Sequence, residues 1–361
     1  MAEILGKIRK LSGVRKSRSV VSYALVLIAY IAIEAAMAAG SISNVLKSLL
    51  IPTCSYIVVA LSLNLVVGYL GDLSLGHAGF MATGAFSGVV TAAILGRVIN
   101  NDIVVLIIAL LVGGIVSAVF GAIIGIPVLK LQGDYLAIVT LAFCQIIKTM
   151  LQYVYLGIDG KGLHFSFLDN NVVLDDTGDM IIKGAIGVSL GKKLSTFTAG
   201  VVLILITLFI IYNLIDSKHG RAIQACRDNK IAATSLGIST SNYKLLAFVI
   251  SATLAGMAGA LYGLNFASLK AAKFDFNLSI MILVYVVLGG LGNITGTIIS
   301  TTLLLVLPEA LRSFNDYRMI VYSIVLILVM LISNNATIMS YLDSFRKKLM
   351  NGKAGKEPSD V

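Results

Sequence analysis

The sequence predicts an all-α polytopic membrane protein of about ten spanning helices. Of its 361 residues 58% are hydrophobic and 13% are charged, against about 25% charged in a soluble domain. Mean hydropathy is +0.94. The apolar residues fall into successive runs of about 20, the length that a helix rising about 1.5 Å per residue needs to cross a hydrocarbon core about 30 Å thick.

Residues 1–19 carry Lys7, Arg9, Lys10, Arg15, Lys16 and Arg18 against Glu3, so this basic segment belongs on the cytoplasmic side. The run at 20–39 reads as the first span. Its basic start and Ala36-Met37-Ala38 also fit a cleavable signal, but Glu34 interrupts the run. Runs at 48–70, 76–96, 102–128 and 134–156 follow. The loop at 157–194 holds Asp159, Asp169, Asp175, Asp176 and Asp179 against Lys161, Lys183, Lys192 and Lys193; lacking a basic excess, it is expected outside.

A sixth span at 195–215 leads into a basic loop at 216–244, with Lys218, Arg221, Arg227, Lys230 and Lys244 against Asp216 and Asp228. Spans at 242–264, 276–293, 295–312 and 319–340 complete the transmembrane domain of 20–340. At 293–296 two spans abut in GGLGNITG, where a re-entrant pair is the alternative. The tail at 341–361, with Arg346, Lys347, Lys348, Lys353 and Lys356, is cytoplasmic in this count. Each loop's charge agrees with its place in the alternation, a check that one miscounted span would break.

The net charge of +10 sits in the tails and the 216–244 loop. That distribution points to anionic lipid headgroups and positive-inside topology, not to nucleic acid. Cys54, Cys144 and Cys226 have no metal spacing and read as free, packed thiols.

Small residues recur every fourth position at Ser251, Ala255, Gly259 and Gly263, flanked by Ala252, Gly256 and Ala260. Gly84 and Gly88 share the spacing, as do Gly292, Gly296 and Ser300, with Gly289 and Gly290 alongside. Such stripes let helix backbones approach closely in lipid. They serve either static packing or sliding during transport. Asn64, His77 and Gln145 are polar groups within spans, where burial demands a partner. They serve as interhelical hydrogen-bond formers or as lining of a translocation path. Lys148 can snorkel outward, and Glu309 beside Pro308 is a weak basis for proton coupling. No paired carboxylates, His/Cys metal set, G-x-S-x-G or G-x-x-x-x-G-K-[ST] loop occurs, so no enzyme or ATPase site is expected within the chain.

Four stretches then stand in order: NLVVGYLGDLSLGHAGFMATGAF (64–86), LKLQGDYLAIVTLAF (129–143), HGRAIQACRDNKIAATSLGISTSNYKLLAFVISATLAGMAGALYG (219–263) and VVLGGLGNITGTIIS (286–300). Together they resemble the LivM-type permease subunits of branched-chain amino acid ABC importers. The resemblance implies the larger-bundle importer permease fold in a prokaryotic cytoplasmic membrane. It also implies a LivH-like partner permease, two LivF/LivG-like ATPase subunits that hydrolyse ATP, and an extracytoplasmic amino-acid-binding protein. No cofactor would bind the chain directly.

The ATPase-docking pattern E-A-A-x-x-x-G is met by Ile231, Ala232, Ala233 and Gly237, with isoleucine in the acid's place. Gly220, Arg221 and Asp228 join this coupling set, Asp228 lying one turn before Ile231. The family's T-G-G-x-x-G-[IL] run is only partly matched by Gly157-Ile158-Asp159-Gly160-Lys161-Gly162-Leu163, and Ser300 replaces a usual glycine. Branched-chain amino acids are the implied substrate. Urea or a short amide is the alternative within the family, and an ion-coupled secondary transporter the alternative outside it.

Overall fold

The computed structural model describes residues 2–40, 43–129, 131, 133–159, 162–167, 179–189, 193–311, 320, 323, 324 and 327, with side chains from residue 19 onward except at 159, 162, 163, 179, 189 and 310. Two units are delimited, Met1–Thr302 and Leu303–Val361.

In the first unit, α1 (Ala2–Ala38) leans on α6 (Phe197–Asp216). The Ser22 hydroxyl bonds the Tyr212 and Thr295 hydroxyls at 2.8 and 2.6 Å, and Tyr30 packs on Phe197. The helix α2 (Asn44–Asn64) continues as a π-helical turn, Leu65–Leu70, and stops at Gly71, whose φ of 81° a side-chain-bearing residue would adopt only under strain. After a non-helical link come α3 (His77–Leu95), α4 (Asp102–Val128) and α5 (Asp134–Gln152). Two short helices, α7 (Lys218–Asp228) and α8 (Lys230–Ser235), join α6 to α9 (Thr240–Gly263).

The central helix is α9, packed against α2, α3 and α4. Its small-residue face explains how. A Cβ on Gly84 of α3 would fall on the Gly256 backbone, and one on Gly259 would fall on the Met81 carbonyl. Gly113 of α4 closes the third side, its missing Cβ 2.8 Å from the Ala260 methyl. Three backbones thus meet without side chains between them, where dispersion acts over the shortest distances. Cys54, Cys144 and Cys226 are free and buried.

Among the described residues, seven helices are long and apolar enough to span a bilayer, and α10 (Phe276–Gly289) and α11 (Ile294–Ala310) are shorter apolar helices. At 14 residues α10 is about 21 Å long, less than the about 30 Å of a hydrocarbon core. The ranges expected at 276–293 and 295–312 are therefore a short helical hairpin closed by residues 290–293, with positive φ at Gly290 and Gly292. The span expected at 319–340 and the tail at 341–361 lie outside the described residues, save the helical positions 320, 323, 324 and 327.

The all-α expectation fails at the far end of the bundle. There α5 ends at Gln152, and β1 (Val154–Asp159), β2 (Gly162–Phe167), β3 (Asp179–Lys183), β4 (Val188–Ser189) and β5 (Ser268–Leu269) form an antiparallel sheet in the order β2-β1-β3-β4-β5. Leu156 pairs with Phe165 and Val188 with Leu269. The last pairing ties the α5–α6 connection to the segment that follows α9. A Cβ on Gly187 would fall on the Leu269 carbonyl, so this junction requires glycine.

Candidate coupling surface and the polar network beneath it

At the basic end, α7 folds back under α6. The Ser217 hydroxyl accepts from the Gly220 N–H at 3.1 Å and caps the helix. Gly220 is buried because a Cβ there would strike the Leu214 and Ile215 carbonyls. Ile223 and Cys226 follow on the same inward face, while Arg221, Arg227 and Asp228 are exposed. Burial pushes the Cys226 thiol up from its ordinary pKa, with the Lys244 charge opposing, which keeps it an inert packing group.

Asn229, in an extended conformation, ends α7 and starts α8, its Oδ1 accepting from the Ala232 N–H at 3.0 Å. The end of α8 closes with Gly237 N–H donating to Thr234 O and Ile238 N–H to Ala233 O, at 2.9 and 3.1 Å, around a Gly237 φ of 80°.

This geometry divides the expected docking residues. Ala233 is 2% exposed and faces the bundle, so it offers nothing to an outside partner. Ala232 and Gly237 are exposed, and nothing lies within 4 Å of a Cβ built on Gly237. Ile231, which stands in the acid's place of the pattern, and Leu236, which the sequence reading did not name, are 80% and 81% exposed. Two large aliphatic side chains thus stand exposed among polar neighbours, an apolar knob of the kind that interaction surfaces carry. Their signal in the sequence was an aliphatic residue in the acid's position and a lone leucine in Thr-Ser-Leu-Gly. Asp228 and Ile231 line one shallow groove with Asn229, Lys230, Thr234 and Ser235.

Against α7 lies the C-terminus of α2. Carbonyls in the last turn of a helix lack intrahelical donors, and that end is the negative pole of the helix dipole. The Arg227 guanidinium donates to the Gly68 carbonyl at 2.5 Å, supplying both a donor and a positive charge. Lys244, near the start of α9, donates to both oxygens of Asp72 at 2.6 and 2.7 Å, with side chains only 9% and 12% exposed. Asn64 uses both ends of its amide. Its Nδ2 donates to the Thr297 hydroxyl at 2.9 Å, and its Oδ1 accepts from the Gly292 N–H at 2.8 Å. A Cβ on Gly68 would fall on the Gly292 nitrogen. The end of α2, α7 and the α10–α11 turn therefore converge on Gly68.

Further into the bundle, the Ser251 hydroxyl donates to the Ser62 carbonyl at 2.6 Å and lies 2.7 Å from His77 Nε2. Because serine has one proton to give, His77 must donate from Nε2. Its Nδ1 is buried with no partner among the described residues, and its ring stands edge-on to Phe80. Asn64 and His77 are each 1% exposed and engaged across helices, whereas Gln145 on α5 is half-buried. Gly289 and Gly296 bring α10 and α11 into backbone contact, and Gly263 and Gly88 sit against Ala85 and Ala260 respectively. Ala255 is fully buried. The Ser300 hydroxyl donates to the Tyr285 carbonyl at 2.6 Å, a bond that glycine could not make. Among the described residues, no group of three or more His, Cys, Asp or Glu could hold a metal ion.

The family profile described as "Branched-chain amino acid transport system / permease component" matches residues 45–330. The chain is 35% identical over 291 residues to the high-affinity branched-chain amino acid transport system permease protein LivM of Salmonella typhimurium, covering 77% of this chain and 66% of that protein. It is 27% identical over 283 residues to the corresponding permease protein BraD of Pseudomonas aeruginosa, covering 77% and 89%. A further similarity, 37% over 130 residues, is to the permease protein LivH of Escherichia coli, covering 35% of this chain and 40% of that protein. No solved structure matches the chain.

Proposed function

Because the chain belongs to the family of branched-chain amino acid transport system permease components, a family of multi-pass membrane proteins, we propose that it is the translocating subunit of an ATP-driven importer of leucine, isoleucine and valine. The observation that carries the mechanism is the exposed Ile231–Leu236 knob on α8, next to α7, whose Arg227 bonds the Gly68 carbonyl at the end of α2. A chain with no phosphate-cradling motif of its own needs such a surface to receive work from separate ATPase subunits. In this reading the basic end faces the cytoplasm and the sheet end faces outward, where it receives an amino-acid-binding protein. A LivH-like permease completes the membrane pair.

The knob enters a groove on the ATPase as a short helix enters a cleft, with Ile231 and Leu236 as anchors and Ala232 allowing close approach. Gly220 and Gly237 shape the segment, and Arg221 and Asp228 form its charged rim. Asp228, sharing a groove with Ile231, supplies the carboxylate for which the segment otherwise has isoleucine. Closure of the ATPases on ATP moves this segment, and the contacts at Gly68 pass the motion inward. The small-residue seams at Gly84, Gly88, Ala255, Gly256, Gly259, Gly263, Gly289, Gly290, Gly292 and Gly296 hold the moving helices at close range. Gln145 lines the path, and Asn64 and His77 set the helix positions around it.

The assembled complex in proteoliposomes should take up labelled leucine in an ATP-dependent manner, with isoleucine and valine competing. Competition by urea or acetamide, with none by valine, would overturn the substrate assignment. Replacing Leu236 by aspartate or Ala232 by arginine should leave the protein inserted and weaken ATPase co-purification by roughly 30-fold or more, the loss of a hot-spot contact of about 2 kcal/mol. Undiminished co-purification of both variants would sink the docking role.

A further inference from the structure

We infer that Arg227 is a positioning residue that joins the coupling segment to the α10–α11 turn through the C-terminus of α2, so that these elements move as one body. The inference rests on the coupling role proposed above and names the part that carries the motion inward. Its basis is a convergence of contacts. Arg227, in the last turn of α7, donates to the Gly68 carbonyl at 2.5 Å. Gly68 lies directly against Gly292, and the Gly292 N–H is held by Asn64, in the last residue of α2, at 2.8 Å.

The chemistry suits a rigid joint. A π-helical turn ends α2, and the N–H groups of Gly71 and Asp72 both turn back to the Val66 carbonyl. Gly68 O is thus one of the last-turn carbonyls that a chain normally leaves to water or to a capping group. A guanidinium answers it with a charge-assisted bond at the negative end of the helix. On the other side, Gly68 and Gly292 have no side chains that could yield, so displacement of the first backbone displaces the second. A bond between α7 and a solvated loop would transmit nothing. This one ends on a backbone atom packed against the hairpin turn.

A covalent joint can replace the hydrogen bond. A Cβ built on Gly71 stands 3.6 Å from the Arg227 Cβ, within the about 3.5–4.5 Å that a disulfide spans. The test uses Gly71→Cys/Arg227→Cys in a Cys226→Ala background, assembled with its ATPase subunits and binding protein in proteoliposomes. Gly71→Cys alone is the reference, because it carries the strain of a side chain at that φ. The readouts are leucine uptake and the change in hydrogen exchange over residues 288–296 between the nucleotide-free and vanadate-trapped states.

When reduced, the pair should lose the exchange response and slow uptake by about 5- to 150-fold, the range that coupling between sites typically spans. After oxidation both should return towards the reference. An Arg227 that only touched the ATPase would not be rescued by a bond to residue 71. The inference is overturned if the reduced pair matches the reference. It is also overturned if the two cysteines fail to cross-link, or if the oxidised protein, with its ATPases still bound, behaves like the reduced one. Absent leucine uptake with an exchange response that follows the cross-link would refute the substrate assignment and support the joint. A wild-type chain that does not bind the ATPase subunits would end both readings.

Discussion

Replacing Lys244 with methionine is expected to cost the folded protein about 3–5 kcal/mol, the loss typical when one partner of a buried ion pair is removed. Methionine nearly matches the volume of the lysine stem, so packing changes little and the loss isolates the charge. What remains is the Asp72 carboxylate, 12% exposed and deprived of both its short bonds from the ammonium. With so little water at the site, salt screens the pair weakly. Asp72→Asn should destabilise in the same direction by leaving the ammonium unpaired. The double variant Asp72→Leu/Lys244→Met should recover most of the stability, since two apolar groups need no partner. Thermal unfolding in detergent, followed by size-exclusion recovery, measures all three. Single variants within about 1 kcal/mol of wild type, the usual worth of an exposed pair, would show the bridge to be solvated.

Placing valine at Gly84 is expected to prevent the bundle from closing. On helix propensity alone, losing this glycine should help by up to about 1 kcal/mol. Packing decides the sign. The new Cβ would land on the Gly256 carbonyl and Cα, and the Gly84 carbonyl is itself 3.0 Å from where a Cβ on Gly113 would sit. The atoms it would strike are backbone atoms of α9, so no rotamer change can make room. Parting the helices gives up dispersion contacts along the whole seam, and the cost should exceed the about 1–3 kcal/mol of ordinary overpacking. Monodisperse protein should be nearly absent on size-exclusion chromatography. Val119→Leu, at a position 52% exposed on α4, should be indistinguishable from wild type. A well-folded Gly84→Val would mean that the α3–α9 seam is looser than the glycine contacts require.

What the sequence revealed and what it hid follow from the range of each signal. Helix-length apolar runs and the four-residue repeat from Ser251 to Gly263 are local patterns, and both correspond to features of α2–α6 and α9. The sheet has no such signature. Its strands are two to six residues long, and its decisive pairing, Val188 with Leu269, links segments 81 positions apart (269 − 188). The Asp72–Lys244 pair was equally hidden: each residue reads as ordinary loop charge until the fold brings them together. Within the 216–244 segment the pattern does not tell which face it shows. Ala232 and Ala233 are adjacent in sequence, yet the helical rotation between neighbours exposes one and buries the other.

The brevity of α10 has a consequence for the membrane itself. Irregular backbone does not survive in hydrocarbon unless its polar groups are satisfied by protein or water, each orphan costing several kcal/mol. The turn between α10 and α11 largely meets this demand from within the chain. Gly290 N–H donates to Val287 O, Asn293 N–H to Gly290 O, and Gly292 N–H to the Asn64 side chain. A hairpin tip so supplied leans less on headgroups and solvent than a bare loop would. Asn64 is therefore a surrogate for water at Gly292, and losing its side-chain carbonyl, as in Asn64→Leu, would leave that N–H to be met by solvent.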